Sequence, residues 1–303
     1  MPRAPLSTGV EIEYDTFGSP DDPAFLLIRG YNAQMIRWEE DWCRHFADAG
    51  RFVIRFDNRD VGLSTKFEGV AVDLDALLLA AVRGVGIRDA PYTLSDMAAD
   101  AVALLDHLGI GRAHVAGESM GGMIVQTLAI EHPDRLISAT SIMSTVGDPE
   151  FGSATPAAME LLLQPTPTGR AAVIEHAGRY AAWNSERYFS ADEARRKAAI
   201  DYDRSSYSAG GPRHLAAILA SGDRTEALRS VRTPMLVIHG LDDELITPSG
   251  GRRTADLVPG SHLIELSDMG HDLPRPLWPI LIGAILGHQE TAERSPTTIG
   301  ASS

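Results

Sequence analysis

Cysteine is nearly absent from this 303-residue chain: Cys43 is the only one. No intrachain disulfide can form, so stability has to come from packing, which a chain of this length supplies without a metal or a staple. Aromatic residues are scarce at 6%, although hydrophobic residues reach 44%, a globular composition rather than a fibrous or disordered one. Basic residues are in deficit: 27 Lys and Arg against 41 Asp and Glu leave a formal charge of −14. They are scattered along the chain, which argues against a grip on phosphate backbones or on an anionic membrane surface. Long apolar runs are missing as well. Ala76 to Val82 and the Pro-broken Leu277 to Leu286 fall well short of the ~20 residues that cross a bilayer. The opening stretch MPRAPLSTGVEIEY has no apolar core of the kind a secretory signal needs, so the expectation is a cytoplasmic protein with no transmembrane segment and no nucleic-acid partner.

Short aliphatic runs recur, each closed by a turn signal: Phe25 to Ile28, Phe52 to Phe56, His114 to Ala116, Met235 to Ile238 and Leu263 to Leu266. Runs this apolar suit strands buried on both faces. Helical patterns lie between them. Leu94 to Leu108 has apolar residues at helical spacing, Thr93 and Asp96 in capping-box register, and Gly109 as its stop. Alternating strand and helix predicts an α/β fold with a mostly parallel, doubly wound sheet. Two stretches break the alternation. One, residues 66–92, has an apolar helical patch from Leu74 to Val82. The other, residues 147–230, contains helix-like segments only, one of them opened by Ser190 and Glu193. The expected organisation is a core of residues 1–146 and 231–288, a helical cap (lid) of residues 147–230, and a disordered tail of residues 289–303. In open α/β sheets ligands bind beyond the carboxyl ends of the strands, so a cap inserted there roofs the site.

The sharpest signal is Gly117-Glu118-Ser119-Met120-Gly121, the one Gly-x-Ser-x-Gly of the chain, with a strand pattern before it and a helical run, Met123 to Ile130, after it. A serine on a sharp strand-to-helix turn sits in strained geometry, and flanking glycines let the two elements approach. A serine hydroxyl needs a base, and the base needs a third group to orient it. His271 follows the Leu263 strand and Asp243 follows the Met235 strand, so both leave strand carboxyl ends on the rim that carries Ser119. Asp242 is adjacent and competes with Asp243. His107, His132 and His214 fall in helical patterns, and His239 reads as a buried hydrogen-bonding residue. Asp57 and Arg59 read as braces of their own loop, Glu118 as a residue solvated on the outer side of the turn, and Cys43 as a small core residue.

These motifs resemble the α/β-hydrolase fold family over about Gly9 to Leu286, and within it the aclacinomycin methylesterase type of serine esterase. The likeness rests on Asp57-Asn58-Arg59-Asp60-Val61-Gly62-Leu63-Ser64, on the elbow with Met120 after the serine, and on Met269-Gly270-His271 followed by Leu273-Pro274. The resemblance implies a carboxylic ester hydrolase with Ser119 as nucleophile, His271 as base and Asp243 as its acid partner. Its spacing after His239-Gly240 selects Asp243 over Asp242. It also implies an oxyanion hole made of the Tyr31 and Met120 amides. Many relatives have His-Gly where this chain has Arg29-Gly30-Tyr31-Asn32, which makes that wall unusually polar.

Arg29, Gly30 and Asn32 are therefore candidate pocket residues, with a structural ion pair or loop contact as the competing reading for Arg29 and Asn32. Met159, Leu162 and Trp183 are candidate apolar lining from the cap, with packing of the cap onto the core as the alternative for each. No cofactor is expected: Gly109-Ile110-Gly111 ends a helix instead of opening one, and no metal is expected because no zinc-type spacing such as His-Glu-x-x-His occurs. The expected partner is a small-molecule ester with an apolar part, possible methyl esters included. Lactone opening, cofactor-free perhydrolase or haloperoxidase chemistry, carbon-carbon bond hydrolysis and a low-turnover small-molecule receptor remain as alternatives on the same fold.

Overall fold

Phe25 and Leu27 are buried against one layer of helices and Leu26 and Ile28 against the other, as the two-residue period of a strand requires. The computed structural model describes residues 1–83, 90–165 and 167–294. Its eight strands form one sheet: β1 (Arg3–Pro5), β2 (Glu11–Phe17), β3 (Ala24–Ile28), β4 (Phe52–Phe56), β5 (Ala113–Glu118), β6 (Leu136–Ile142), β7 (Met235–Gly240) and β8 (His262–Leu266), in the order β1-β2-β4-β3-β5-β6-β7-β8. The pairs β1–β2 and β2–β4 are antiparallel and the rest parallel. The carboxyl ends of β3, β5, β7 and β8 consequently share one edge.

Helices α1 (Glu40–Asp48), α2 (Leu74–Val82), α3 (Leu94–His107) and α4 (Met120–Glu131) precede the insertion. Between β6 and β7 come α5 (Pro156–Leu162), α6 (Arg170–Ala177), α7 (Ala191–Arg204), α8 (Gly210–Ser221) and α9 (Thr225–Leu228), with no strand among the described residues. Then follow α10 (Ser249–Leu257) and α11 (Trp278–Arg294). Trp42 and Phe46 of α1 pack with Trp278, Leu281 and Ile285 of α11 on one face of the sheet, while Leu104 of α3, Ile124 of α4 and Leu257 of α10 pack on the other. Cys43 is fully buried among the first group, and burial pushes its thiol up to about 12.

Several local expectations change in the structure. Strand β6 escapes an apolar-run reading because it is LISATSI, yet Ser138, Thr140 and Ser141 are all buried. Small hydroxyls sit in a central strand when they find partners: Ser138 Oγ meets His114 Nδ1 at 2.8 Å, and Ser141 Oγ accepts from Gln126. The Thr93–Asp96 capping box is complete, whereas Ser190 accepts from the Glu193 amide but the Glu193 carboxylate turns to Arg196. The expected tail from residue 289 is corrected over its first part. Residues 289–294 continue α11 because Gln289 is buried, accepting from Arg51 Nε at 2.9 Å, and Glu293 pairs with Arg51 at 2.8 Å and His114 at 3.0 Å. The rest of that tail, residues 295–303, and residues 84–89 of the first interruption lie outside the described residues. No described helix is long and apolar enough to cross a membrane.

Candidate active site

Ser119 holds φ 55° and ψ −122° between the end of β5 and the start of α4, a conformation that costs a non-glycine residue energy and persists only where its surroundings enforce it. Three contacts do so. The Ser119 amide donates to Ile142 O at 2.9 Å, and Ser119 O accepts from Met123 N at 3.2 Å and from Ser144 Oγ at 2.8 Å. The neighbouring glycines are required by distance: a Cβ on Gly117 would lie 2.2 Å from Gly121 O, and one on Gly121 would lie 2.2 Å from Ile28 O. Helix α4 is thereby pressed against β3 and β5, and Ser119 stays half-buried with its side chain on the wall of a cavity.

His271 and Asp243 come from the loops after β8 and β7. His271 Nδ1 meets Asp243 Oδ2 at 2.7 Å, and Asp243 Oδ1 accepts from the Leu245 and Ile246 amides at 2.9 Å each. Asp243 is buried while Asp242 is exposed, which separates the two adjacent carboxylates that sequence reasoning had to weigh. Burial raises the Asp243 pKa, but the charges and hydrogen bonds of His271 and His239 outweigh it and hold the carboxyl below its ordinary value. For His271, burial lowers the pKa. The Asp243 charge and hydrogen bond, with smaller help from Glu118 and Asp272, reverse this and leave it above 6.5. His239 is fully buried with Nε2 on Ile246 O at 2.7 Å and 3.5 Å from Asp243 Oδ2, so it buttresses the Asp243 carboxylate.

Among the described residues the Tyr31 and Met120 amides donate to no protein acceptor. Tyr31 follows β3 on the strand edge next to β5, and a Cβ on the preceding Gly30 would come within 3.5 Å of Ser119 Oγ. The Met120 side chain is buried in the core and does not line the cavity, so any part it takes is through its amide at the N-terminus of α4, where the helix dipole favours negative charge. The cavity measures about 1260 Å³. Ser119, His271, Arg29, Gly30, Tyr31 and Asn32 line its core side, and Met159, Leu162 and Trp183 line it from the insertion. Asp243 lies behind His271, off the wall.

Three features have partners that a reading along the chain does not name. Glu118 is not solvated on an outer face: it is 8% exposed and pairs with Arg29 Nη1 at 2.5 Å. Arg29 thus meets both readings offered for it, cavity wall and ion pair, and it also lies over the Trp38 ring at 5.0 Å. Asn32 has a positive φ of 49°, and its amide donates to His214 Nδ1 at 3.2 Å. The insertion also holds the His271 loop: His271 N donates to Trp183 O at 2.7 Å, Ser185 N to Asp272 Oδ1 at 3.0 Å, and Ser185 Oγ to Asp268 O at 2.6 Å. Nothing about Ser185 in isolation signals this.

The loop after β4 reaches further than its own turn. Asp57 takes the Met35 amide at 2.7 Å and Leu63 amide at 2.9 Å and pairs with Arg204, Arg59 grips Asp100 of α3, and Asp60 grips Arg213 of α8. Its charges tie core to insertion on the Asn32 side of the cavity. Among the described residues no group of His, Cys, Asp and Glu is placed to hold a metal ion.

Comparison with known proteins agrees with this architecture. The chain is 29% identical over 296 residues to the rhodomycin D methylesterase DnrP of Streptomyces peucetius, covering 91% of this chain and 93% of that protein. It is 26% identical over 264 residues to 3-oxoadipate enol-lactonase 2 of Acinetobacter baylyi, with 86% of each covered. Among solved structures, the 2-hydroxy-6-oxo-6-phenylhexa-2,4-dienoate hydrolase of Rhodococcus sp. strain RHA1 superposes with a TM-score of 0.73 at 18% identity, over 95% of this chain and 97% of that one. The family model for the alpha/beta hydrolase fold matches residues 23–274. A chain matched over that span, with its strands in this order and a serine raised on the turn after β5, belongs to the α/β-hydrolase fold family.

Proposed function

We propose that this protein is a serine hydrolase of carboxylic esters, with Ser119, His271 and Asp243 as its catalytic triad. The observation that carries the reading is the 2.7 Å contact between His271 and buried Asp243 on the rim of the cavity that also exposes a strained Ser119. His271 Nε2 takes the Ser119 proton as Oγ attacks the ester carbonyl, and Asp243 holds the ring and stabilises the imidazolium. The oxyanion accepts from the free amides of Tyr31 and Met120. Collapse of the tetrahedral intermediate breaks the acyl–alkoxy bond, and His271 gives its proton to the departing alcohol. Water then attacks the acyl-enzyme with His271 as base, releasing the acid and restoring Ser119.

A methyl ester of a large, partly apolar acid fits best. The matched methylesterase supports a small alcohol, and a cavity of about 1260 Å³ lined by Phe151, Leu162, Tyr180 and Trp183 suits a ring-bearing acyl group. The cap of residues 147–230 is proposed to cover that group. The test is mass spectrometry of the protein after treatment with an alkyl phosphonate: one adduct mapped to Ser119, formed more slowly when a hydrolysable methyl ester is present in excess during labelling, is the expected result. Adduct formation elsewhere, or none, overturns the assignment. A panel of methyl esters, lactones, and acetate with peroxide, ranked by kcat/KM, separates esterase from lactonase and perhydrolase chemistry.

A further inference from the structure

The wall beside Tyr31 contains polar groups that the proposed ester chemistry does not use. Arg29 spends one nitrogen, Nη1, on Glu118. Its Nε is buried with no hydrogen-bond partner, and among the described residues its Nη2 has none either. These two nitrogens form the side-on edge of the guanidinium, the edge that binds two oxygens at once. In this same chain Arg59, Arg170, Arg195, Arg196 and Arg213 each direct Nε and Nη2 at both oxygens of one carboxylate. The Arg29 guanidinium is held by Glu118 and by the Trp38 ring beneath it, and Asn58 Nδ2 donates to the Arg29 backbone oxygen at 3.0 Å. A fixed guanidinium with its better edge unoccupied, on a cavity wall, is a preorganised donor.

An acceptor and two hydroxyls complete the set. Asp201 Oδ2 accepts from Arg37 Nε at 2.6 Å, while its Oδ1 is buried without a partner. The hydroxyls of Tyr31 and Tyr180 bond to no protein group among the described residues. All four residues line the cavity. They are also electrostatic neighbours: Asp201 acts on Arg29 and on Tyr180, and Tyr180 acts on Tyr31. Charge there pairs off: Arg29 with Glu118, Arg37 with Asp201, and Arg204, which also acts on Asp201, with Asp57. A carboxylate on the ligand would face both acids, whereas a neutral hydroxyl can donate to Asp201 Oδ1 and accept from Arg29.

We propose that Arg29, Asp201, Tyr31 and Tyr180 form a polar subsite for a hydroxyl group on the substrate, so that the protein selects hydroxylated esters over their deoxy counterparts. The inference rests on the esterase reading for what it selects, and on the unpartnered groups alone for where it binds. A site built to hydrogen-bond a hydroxyl discriminates strongly against the analogue lacking it, because its own buried groups are then left unpaired.

The experiment compares methyl phenylalkanoates that carry a hydroxyl on the second, third or fourth carbon with the matched deoxy esters. In the wild-type protein at least one hydroxylated ester is favoured by about 30-fold or more in kcat/KM. In Arg29→Met and in Asp201→Asn that ratio falls below about 3-fold, and Arg29→Lys, which keeps the charge but loses the fork, resembles Arg29→Met. Tyr180→Phe, which preserves the ring, gives an intermediate ratio should the arginine variants not fold. Binding of the same esters to Ser119→Ala protein by calorimetry gives an independent measure, with Kd tighter for the hydroxylated member. A ratio near one for every pair, in turnover and in binding, overturns the subsite and means the free groups share only water. A Kd preference without turnover or Ser119 labelling keeps the subsite and overturns the esterase reading.

Discussion

Asp243 divides its two oxygens between two tasks: Oδ2 lies 2.7 Å from His271 Nδ1, and Oδ1 holds the Leu245 and Ile246 amides at 2.9 Å. The amides fix the carboxylate, and the carboxylate fixes the ring. Asp243→Asn is expected to keep the loop but to lower kcat by about 10³- to 10⁴-fold. If His271 is the base, the wild-type kcat/KM is expected to rise with pH along a limb displaced upward from the ordinary imidazole value, because a base works when neutral and Asp243 favours the protonated ring over the opposing effect of burial. In Asp243→Asn burial prevails and the limb moves to lower pH. The corresponding term in folding is present below the unfolded-state pKa near 6.5 and is lost as pH rises through the raised folded value. A pH–rate profile of both proteins checks the direction, and a limb that stays put in the variant contradicts it.

Ser119 at φ 55° stores backbone strain that glycine would not feel. Ser119→Gly is expected to abolish turnover, by at least about 10⁴-fold, while stabilising the fold by about 1 kcal/mol. Ser119→Ala loses turnover equally without that gain. Urea unfolding of the three proteins measures it, and a glycine variant less stable than the alanine one would refute the strain account.

His214 is fully buried with Nε2 donating to Arg59 O at 2.8 Å and Nδ1 accepting from the Asn32 amide at 3.2 Å. Burial lowers its pKa to about 4. The unfolded chain therefore binds the proton more tightly between the ordinary value near 6.5 and pH 4, and stability on the order of 3 kcal/mol drains away as pH falls through that window. A proton on Nδ1 also faces the Asn32 N–H and loosens the turn next to the Tyr31 amide. His214→Gln should flatten the acid limb of the unfolding free energy; an unchanged limb would place the acid sensitivity elsewhere.

Asp60 is fully buried and is held by both nitrogens of the Arg213 fork at 2.7 and 2.8 Å and by the Tyr92 hydroxyl at 2.7 Å. Arg213→Met leaves that charge alone, which is expected to cost about 3–5 kcal/mol. The double variant Arg213→Met/Asp60→Asn removes the charge too and should recover part of the loss. Thermal denaturation with a double-mutant cycle tests this, and purely additive losses would show that the two groups are not coupled.

Much of the framework was legible along the chain because its causes are local. The runs Phe25 to Ile28, Phe52 to Phe56 and Met235 to Ile238 all lie in strands, since apolar residues on both faces suit no other place in a doubly wound sheet. Strands β1 and β2 and the hydroxyl-rich β6 were not legible: β1 and β2 rely on antiparallel pairing at an edge, and β6 on partners such as His114 that are remote in sequence. The fourteen-residue helix α3 announced itself by its capping box, but the end of α11 depended on Arg51, 238 residues before Gln289.

The elbow around Ser119, and the order in which its proposed acid and base follow, are written in the chain itself, because steric demand within a few residues leaves glycine as the one tolerable neighbour. Which charges meet is another matter. Arg29 and Glu118 are 89 residues apart, Asp60 and Arg213 are 153 apart, and Ser185 reaches the His271 loop across 83. Pairing at such separations is settled by how the strand edges and the helical insertion come together, since an ion or an amide takes whichever partner the fold leaves beside it out of water. The same packing left one edge of Arg29 and one oxygen of Asp201 unclaimed on the cavity wall.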